Sequence, residues 1–155
     1  METLIGNFLS ENNFTLSIAE SCTAGGIASK ICSVSGSSNY FMGGIISYSD
    51  KSKIRELNVK RVDIEKYSAV SKEVSRQMAV GVREKFNSDF ALSTTGYTGP
   101  SGKDVGRIFI SVSTSEKTIV KESFFNGNRD EICKQTIDES LQILLSEIKL
   151  KNNTD

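Results

Sequence analysis

Ser38, Tyr48 and Lys53 are residues whose types can combine into nucleophilic catalysis, a hydroxyl, a phenol and an amine within one short stretch. A serine attacks only when a base takes its proton. A lysine can be that base if burial or a neighbouring cation brings its pKa from about 10.4 toward 7–8. The chain contains no histidine, which excludes Ser-His-Asp and Cys-His machinery, His-bearing zinc sites and imidazole proton transfer. Acid–base work therefore falls to Lys, Tyr, Asp, Glu, a thiol or water. Spacing alone does not bring Ser38 to Lys53. Taken singly, Lys53 also suits a solvated surface, Ser38 a turn, and Tyr48 a strand end with its hydroxyl in water.

Three further loops carry polar or small residues. Ala19-Glu20-Ser21-Cys22-Thr23-Ala24-Gly25-Gly26 leads from a strand into a helix, where free N–H groups favour a phosphate or carboxylate. It has neither a Walker ending nor Gly-x-Gly-x-x-Gly, and a plain strand-to-helix turn is the competing reading. Thr94 to Pro100 supplies hydroxyls and backbone donors after a buried strand. Arg129 opens the last helix, against the dipole preference for anions there. This suits an anion held between helix start and guanidinium, or more simply an Arg129–Asp130 surface contact. Cys22, with no histidine to pair with, reads as a structural thiol.

The elements that must position these residues alternate in period. Leu4, Ile5, Phe8 and Leu9 share a helical face that closes at Asn12-Asn13. Thr15–Ala19 reads as a buried strand, Ile27 and Ile31 as one side of a helix, and Gly43–Tyr48 as a second strand. Asp50 is placed to cap a helix running through Lys53 to Leu57. Val62–Tyr67 forms a short helix, and Ser71 caps a longer one with Val74, Met78, Val82 and Phe86 inward. Phe90–Thr95 is a strand, Arg107–Val112 and Thr118–Phe124 a hairpin, and Asn128–Lys149 a final helix. About five strands interleaved with helices predict a single α/β domain over residues 1–150, with its sheet covered on both faces and a polar tail at 151–155. Ligands in such folds sit beyond the strand ends.

The length, 155 residues, bounds the chain to one domain with room for a real core. Nineteen basic residues balance nineteen acidic ones, so nothing advertises a nucleic-acid partner. Three cysteines with no Cys-x-x-Cys pair argue against a disulfide framework or a zinc ribbon, and suit a cytoplasmic location. The start is unlike a signal peptide and no apolar run approaches a membrane span.

Jointly, Ala-Glu-Ser-Cys-Thr (19–23), Gly-Ser-Ser (36–38), Tyr-Ser-x-x-x-Lys (48–53), Ala-Val-Ser (69–71), Thr-Gly-x-x-Gly-Pro (95–100), Val-Gly (105–106) and Gly-x-Arg-Asp (127–130) resemble the CinA C-terminal domain family over about residues 15–145. The resemblance implies a three-layer α/β/α sandwich around a mixed sheet. It further implies a cytoplasmic amidohydrolase that converts nicotinamide mononucleotide to nicotinate mononucleotide and ammonia, a step of pyridine nucleotide salvage. No metal or cofactor is implied, and the partner is a small nucleotide substrate rather than nucleic acid or membrane; a homo-oligomer stays open. The family's serine–lysine pair falls on Ser38 and Lys53, with Ser21 as a second active-site serine. Ser38 stands first as nucleophile and Ser21 as its rival. Tyr48, Thr95 and Arg129 match the supporting residues, and Thr23, Gly25 and Gly96 join the substrate-binding set.

Two departures stand out. Ala24 occupies a position where the family usually has glycine. Tyr97 and a shortened loop, Ser101–Asp104, replace Gly-Ile-Ala-Gly-Pro and a longer Gly-rich stretch. The alternatives are a serine–lysine amidohydrolase for another small amide or nucleotide, and a non-catalytic nucleotide- or partner-binding module.

Overall fold

Thr15 and the residues after it enter the middle of a sheet. In a computed structural model describing residues 1–152, β1 (Leu16–Glu20) has every residue buried. It pairs in parallel with β2 (Phe41–Ile46) on one side and β3 (Phe90–Gly96) on the other. β4 (Arg107–Ser113) and β5 (Thr118–Phe124) follow antiparallel, giving the order β2-β1-β3-β4-β5. The ends of β1, β2 and β3 that carry Glu20, Ile46 and Gly96 therefore lie at one edge, the place where α/β sheets hold ligands.

Helices cover both faces. On one lie α1 (Glu2–Glu11), α2 (Gly26–Cys32) and α6 (Arg129–Asn152), sharing a core of Ile5, Leu9, Ile18, Ile31, Leu92, Leu144 and Ile148. On the other lie α3 (Asp50–Leu57), α4 (Arg61–Tyr67) and α5 (Lys72–Phe86), around Ala19, Leu57, Val74, Met78 and Val82. Each fully buried aliphatic side chain here contributes about 1.5–3 kcal/mol. The result is a three-layer α/β/α sandwich around a mixed sheet, the fold class the sequence predicts.

Two local features fix α3, the helix that carries Lys53. Its cap is Ser49, not Asp50: Ser49 Oγ accepts from Ser52 N and Ser52 Oγ accepts from Ser49 N, both at 3.1 Å, a reciprocal box. Asp50 sits instead in the first turn, where its charge suits the helix dipole. Gly81 of α5 lets the two helices meet, since a Cβ there would lie 2.0 Å from the Leu57 carbonyl oxygen.

β2 begins two residues earlier than its sequence pattern predicts and ends before Ser47. Register with β1 runs from Leu16–Phe41 to Glu20–Ile46, and the chain then leaves the sheet so that Ser49 can cap α3. The final helix extends past Lys149: Lys151 and Asn152 belong to α6, and the Lys151 ammonium pairs with Glu116. Of the expected polar tail, residues 153–155 lie outside the described part. No helix among the described residues is long and apolar enough to cross a membrane.

Candidate active site

Glu20 ends β1 inside the fold, 2% exposed, and its carboxylate accepts hydrogen bonds from the N–H groups of Gly25, Ile27 and Ala28 at 2.8–3.1 Å. These are the orphan donors of the α2 start, satisfied by an anion from the chain itself. That corrects the expectation of a ligand anion at this helix. The Gly25 amide, expected among the substrate contacts, is engaged by Glu20, and the Thr23 hydroxyl is hydrogen-bonded to Thr94 Oγ1 at 2.8 Å. The clamp holds the loop that presents Ser21. Ala24 adopts a left-handed conformation with φ 49°, which explains the glycine preference at that position.

Lys53 projects from α3 toward this loop and is 2% exposed. Its Nζ lies 2.8 Å from the Ser47 carbonyl, 3.1 Å from Ser21 Oγ and 3.5 Å from the Tyr48 carbonyl. All three partners are uncharged. Burial holds the amine below its usual pKa, opposed by the charge of Asp50 one turn away. A neutral Lys53 has a lone pair for the Ser21 proton, which is the arrangement a serine nucleophile requires.

Ser21 and Lys53 open into a cavity of about 350 Å³ whose lining includes Tyr48, Asp50, Val70, Thr95, Gly96, Tyr97 and Arg129. This volume lies at the small end of the range for ligand sites, about 300–1,000 Å³. Gly96 is required by the sheet, since a Cβ would come within 2.8 Å of the Arg107 carbonyl. Thr95, 1% exposed, donates its hydroxyl to the Ala69 carbonyl at 2.9 Å, keeping lone pairs but no hydrogen for a ligand. Tyr97 forms a wall and its hydroxyl reaches Ser68 Oγ at 3.0 Å. Arg129 crosses the cavity, donating to Tyr48 Oη at 2.7 Å and to the Gly99 carbonyl at 2.6 Å. The simpler Arg129–Asp130 contact is not what holds it. Behind it, Asn128 and Glu131 cap α6 reciprocally.

Ser38 is not in this cavity. It lies exposed in a 3-10 turn, Ser37–Asn39, that precedes β2, whereas Ser21 and Lys53 lie beyond the other end of that strand. Six residues of β2 at roughly 3.3 Å each separate the two places by about 20 Å. Within one protomer Ser21, not Ser38, meets Lys53. The Cys22 thiol is buried, and burial, reinforced by Cys133, pushes its pKa up to about 12. It is therefore protonated near neutral pH, in line with a structural role. Asp50, Val70 and the Glu20 clamp are site features missing from the sequence reading. Only Glu20 left a signal, an acid ending a strand just before a small-residue helix start.

The fold class is shared with solved structures of the competence-damaged protein (CinA) superfamily. The protein from Klebsiella pneumoniae superposes with a TM-score of 0.92 over 96% of this chain and 95% of that one, at 24% identity, a likeness of fold. The Escherichia coli protein gives 0.88 over 93% and 88%, at 28% identity. The chain belongs to the CinA C-terminal domain family, whose model matches residues 1–148. It is 40% identical over 156 residues to a CinA-like protein of Flavobacterium psychrophilum, covering 98% of this chain and 37% of that protein. A competence-damage inducible protein of Clostridium botulinum is 41% identical over 153 residues, with 96% and 37% covered. The chain thus spans little more than a third of the length of these relatives.

Proposed function

We propose that the domain is an amidohydrolase that deamidates nicotinamide mononucleotide, with Ser21 as nucleophile and Lys53 as base. The observation that carries this is the buried contact between Lys53 Nζ and Ser21 Oγ, which opens into the cavity. Family membership supports the substrate. Lys53 Nζ takes the Ser21 hydroxyl proton as Oγ bonds to the carboxamide carbon. The resulting oxyanion is held by the backbone N–H groups of Cys22 and Thr23, since those from Ala24 to Ala28 are engaged within the turn or by Glu20 and the Thr95 hydrogen is committed to Ala69. Collapse breaks the C–N bond, and the proton on Lys53 passes to the leaving nitrogen, giving ammonia. Water then attacks the acyl ester, Lys53 takes its proton, and release of the acid returns the proton to Ser21. Arg129 provides the charge for the phosphate, and Tyr48 orients it through their 2.7 Å hydrogen bond.

A related amidohydrolase with a smaller substrate is the second reading, favoured by Tyr97, which occupies part of the wall. Incubation with nicotinamide mononucleotide, scored for ammonia and nicotinate mononucleotide, tests the proposal. Equal amounts of both products support it. Ammonia from other small amides alone would favour the second reading, and none from any amide would leave a binding module.

A further inference from the structure

Besides the base itself, two charged side chains line the Lys53 cavity, Arg129 and Asp50. Arg129 is held by Tyr48 Oη and the Gly99 carbonyl. Asp50 opens α3 three residues before Lys53, so both side chains leave the same face of the helix. Among the described residues no hydrogen bond or ion pair engages the Asp50 carboxylate. The helix dipole accounts for an acid in the first turn, not for one that lines the cavity. The charge of Asp50 reaches the amine, where it opposes the effect of burial. Other ionisable groups around Lys53 are committed elsewhere. Glu20 is taken by the amides at the start of α2, and the Cys22 thiol is protonated near neutral pH. On α5, which packs against α3, Lys85 is paired with Glu56. Tyr97 adds an uncharged aromatic wall, its hydroxyl on Ser68. An unengaged carboxylate inside a ligand cavity is complementary to a cation.

The substrate of the deamidase reading carries such a cation. In nicotinamide mononucleotide the ring nitrogen is quaternary and positively charged, and it is meta to the carboxamide. The phosphate lies at the far end of the ribose. We propose that Asp50 is a specificity-determining residue, the counter-charge for the pyridinium ring, so that the site selects amides on a cationic ring over neutral ones. With the carboxamide carbon at Ser21 Oγ, 3.1 Å from Lys53 Nζ, the ring comes beside the α3 face that carries Asp50, and the phosphate extends to Arg129. Acid and guanidinium then match the two opposite charges of one ligand. Pairing with the ring also offsets the field that Asp50 exerts on Lys53, which favours the neutral amine while a charged substrate is bound. The role in selecting a substrate rests on the deamidase reading; the preference for a cationic ring is measurable without turnover.

Calorimetry on Ser21→Ala protein, in which turnover is blocked, tests it. The probes are nicotinamide mononucleotide and its neutral-ring counterpart, the benzamide C-nucleotide in which carbon replaces the ring nitrogen. At low ionic strength the cationic ligand should bind about fivefold tighter or more. Adding Asp50→Asn should bring the two dissociation constants within about twofold of each other, and Asp50→Glu, which keeps the charge, should retain the preference. Equal affinity for both ligands before Asp50 is changed, a preference that survives Asp50→Asn, or an equal loss for both ligands overturns the proposal. With Ser21 intact, Asp50→Asn should also move the rising limb of kcat/KM to lower pH, because the burial of Lys53 is then unopposed; an unmoved limb overturns the influence on the base. The two readings fail separately. A preference that needs Asp50, in a protein that releases no ammonia, ends the deamidase reading and keeps the cation site. Ammonia released with a KM that Asp50→Asn leaves unchanged ends the cation site and keeps the deamidase.

Discussion

Lys53 Nζ and Ser21 Oγ lie 3.1 Å apart, although α3 and the β1–α2 loop meet only because the chain has crossed the sheet edge between them. The amine's other partners are carbonyl oxygens, so nothing anionic is hydrogen-bonded to it. Replacing Lys53 with methionine keeps the bulk and removes the base. Turnover should fall by about 10²–10⁴-fold while circular dichroism stays that of the wild type.

The lowered pKa of Lys53 also sets a pH dependence. Since burial holds it below the 10.5 of an exposed lysine, kcat should climb with pH along a limb whose midpoint lies under 10.5. Stability moves in the same direction. Between the folded pKa and 10.5 the unfolded chain binds more protons than the folded one, so stability rises with pH through that window, and the full penalty stands below it. Urea titrations of wild type and Lys53→Met should therefore differ most at low and neutral pH and converge toward pH 10.5.

Much of this architecture was legible in the sequence, because the α5 face of Val74, Met78 and Val82 and the α6 face of Leu141, Leu144, Leu145 and Ile148 repeat at helical spacing. The sequence pattern places β2 two residues late, since Gly43-Gly44 breaks the alternation that marks a strand. Asp50 has a capping side chain, but Ser49 supplies the cap; adjacent capping types are told apart only by the backbone. The site was legible as a set of residue types, Ser21, Tyr48, Lys53, Thr95 and Arg129, and not as a geometry. Whether Ser38 or Ser21 meets Lys53 depends on which end of β2 each occupies, a fact of strand direction. The partners of Glu20 are backbone amides, so its one sequence signal is its place at a strand end before a small-residue helix start.

Those amides make Glu20 a stability residue with a functional consequence. Glu20→Gln exchanges one acceptor oxygen for a donor and removes the charge facing the α2 start. It should lower unfolding free energy by about 1–3 kcal/mol in chemical denaturation and reduce kcat by loosening the Ser21 loop.

Ala24 points the opposite way. Its φ of 49° suits glycine, so Ala24→Gly should raise stability by about 0.5–1 kcal/mol, read as a higher denaturation midpoint with an unchanged slope.

Arg129 donates to Tyr48 Oη and Gly99 O across the cavity. Arg129→Ala should raise KM for nicotinamide mononucleotide about tenfold or more, about 1.4 kcal/mol, with a smaller effect on kcat. Nicotinamide riboside, lacking the phosphate, should show little change in KM.

The rate of ammonia release from nicotinamide mononucleotide by Ser21→Ala, set against wild type at the same pH, bears most directly on the assignment of the nucleophile. A loss of about 10³-fold or more in a protein that folds as the wild type does is the predicted result. Wild-type turnover by Ser21→Ala would contradict it and return the attack to another hydroxyl.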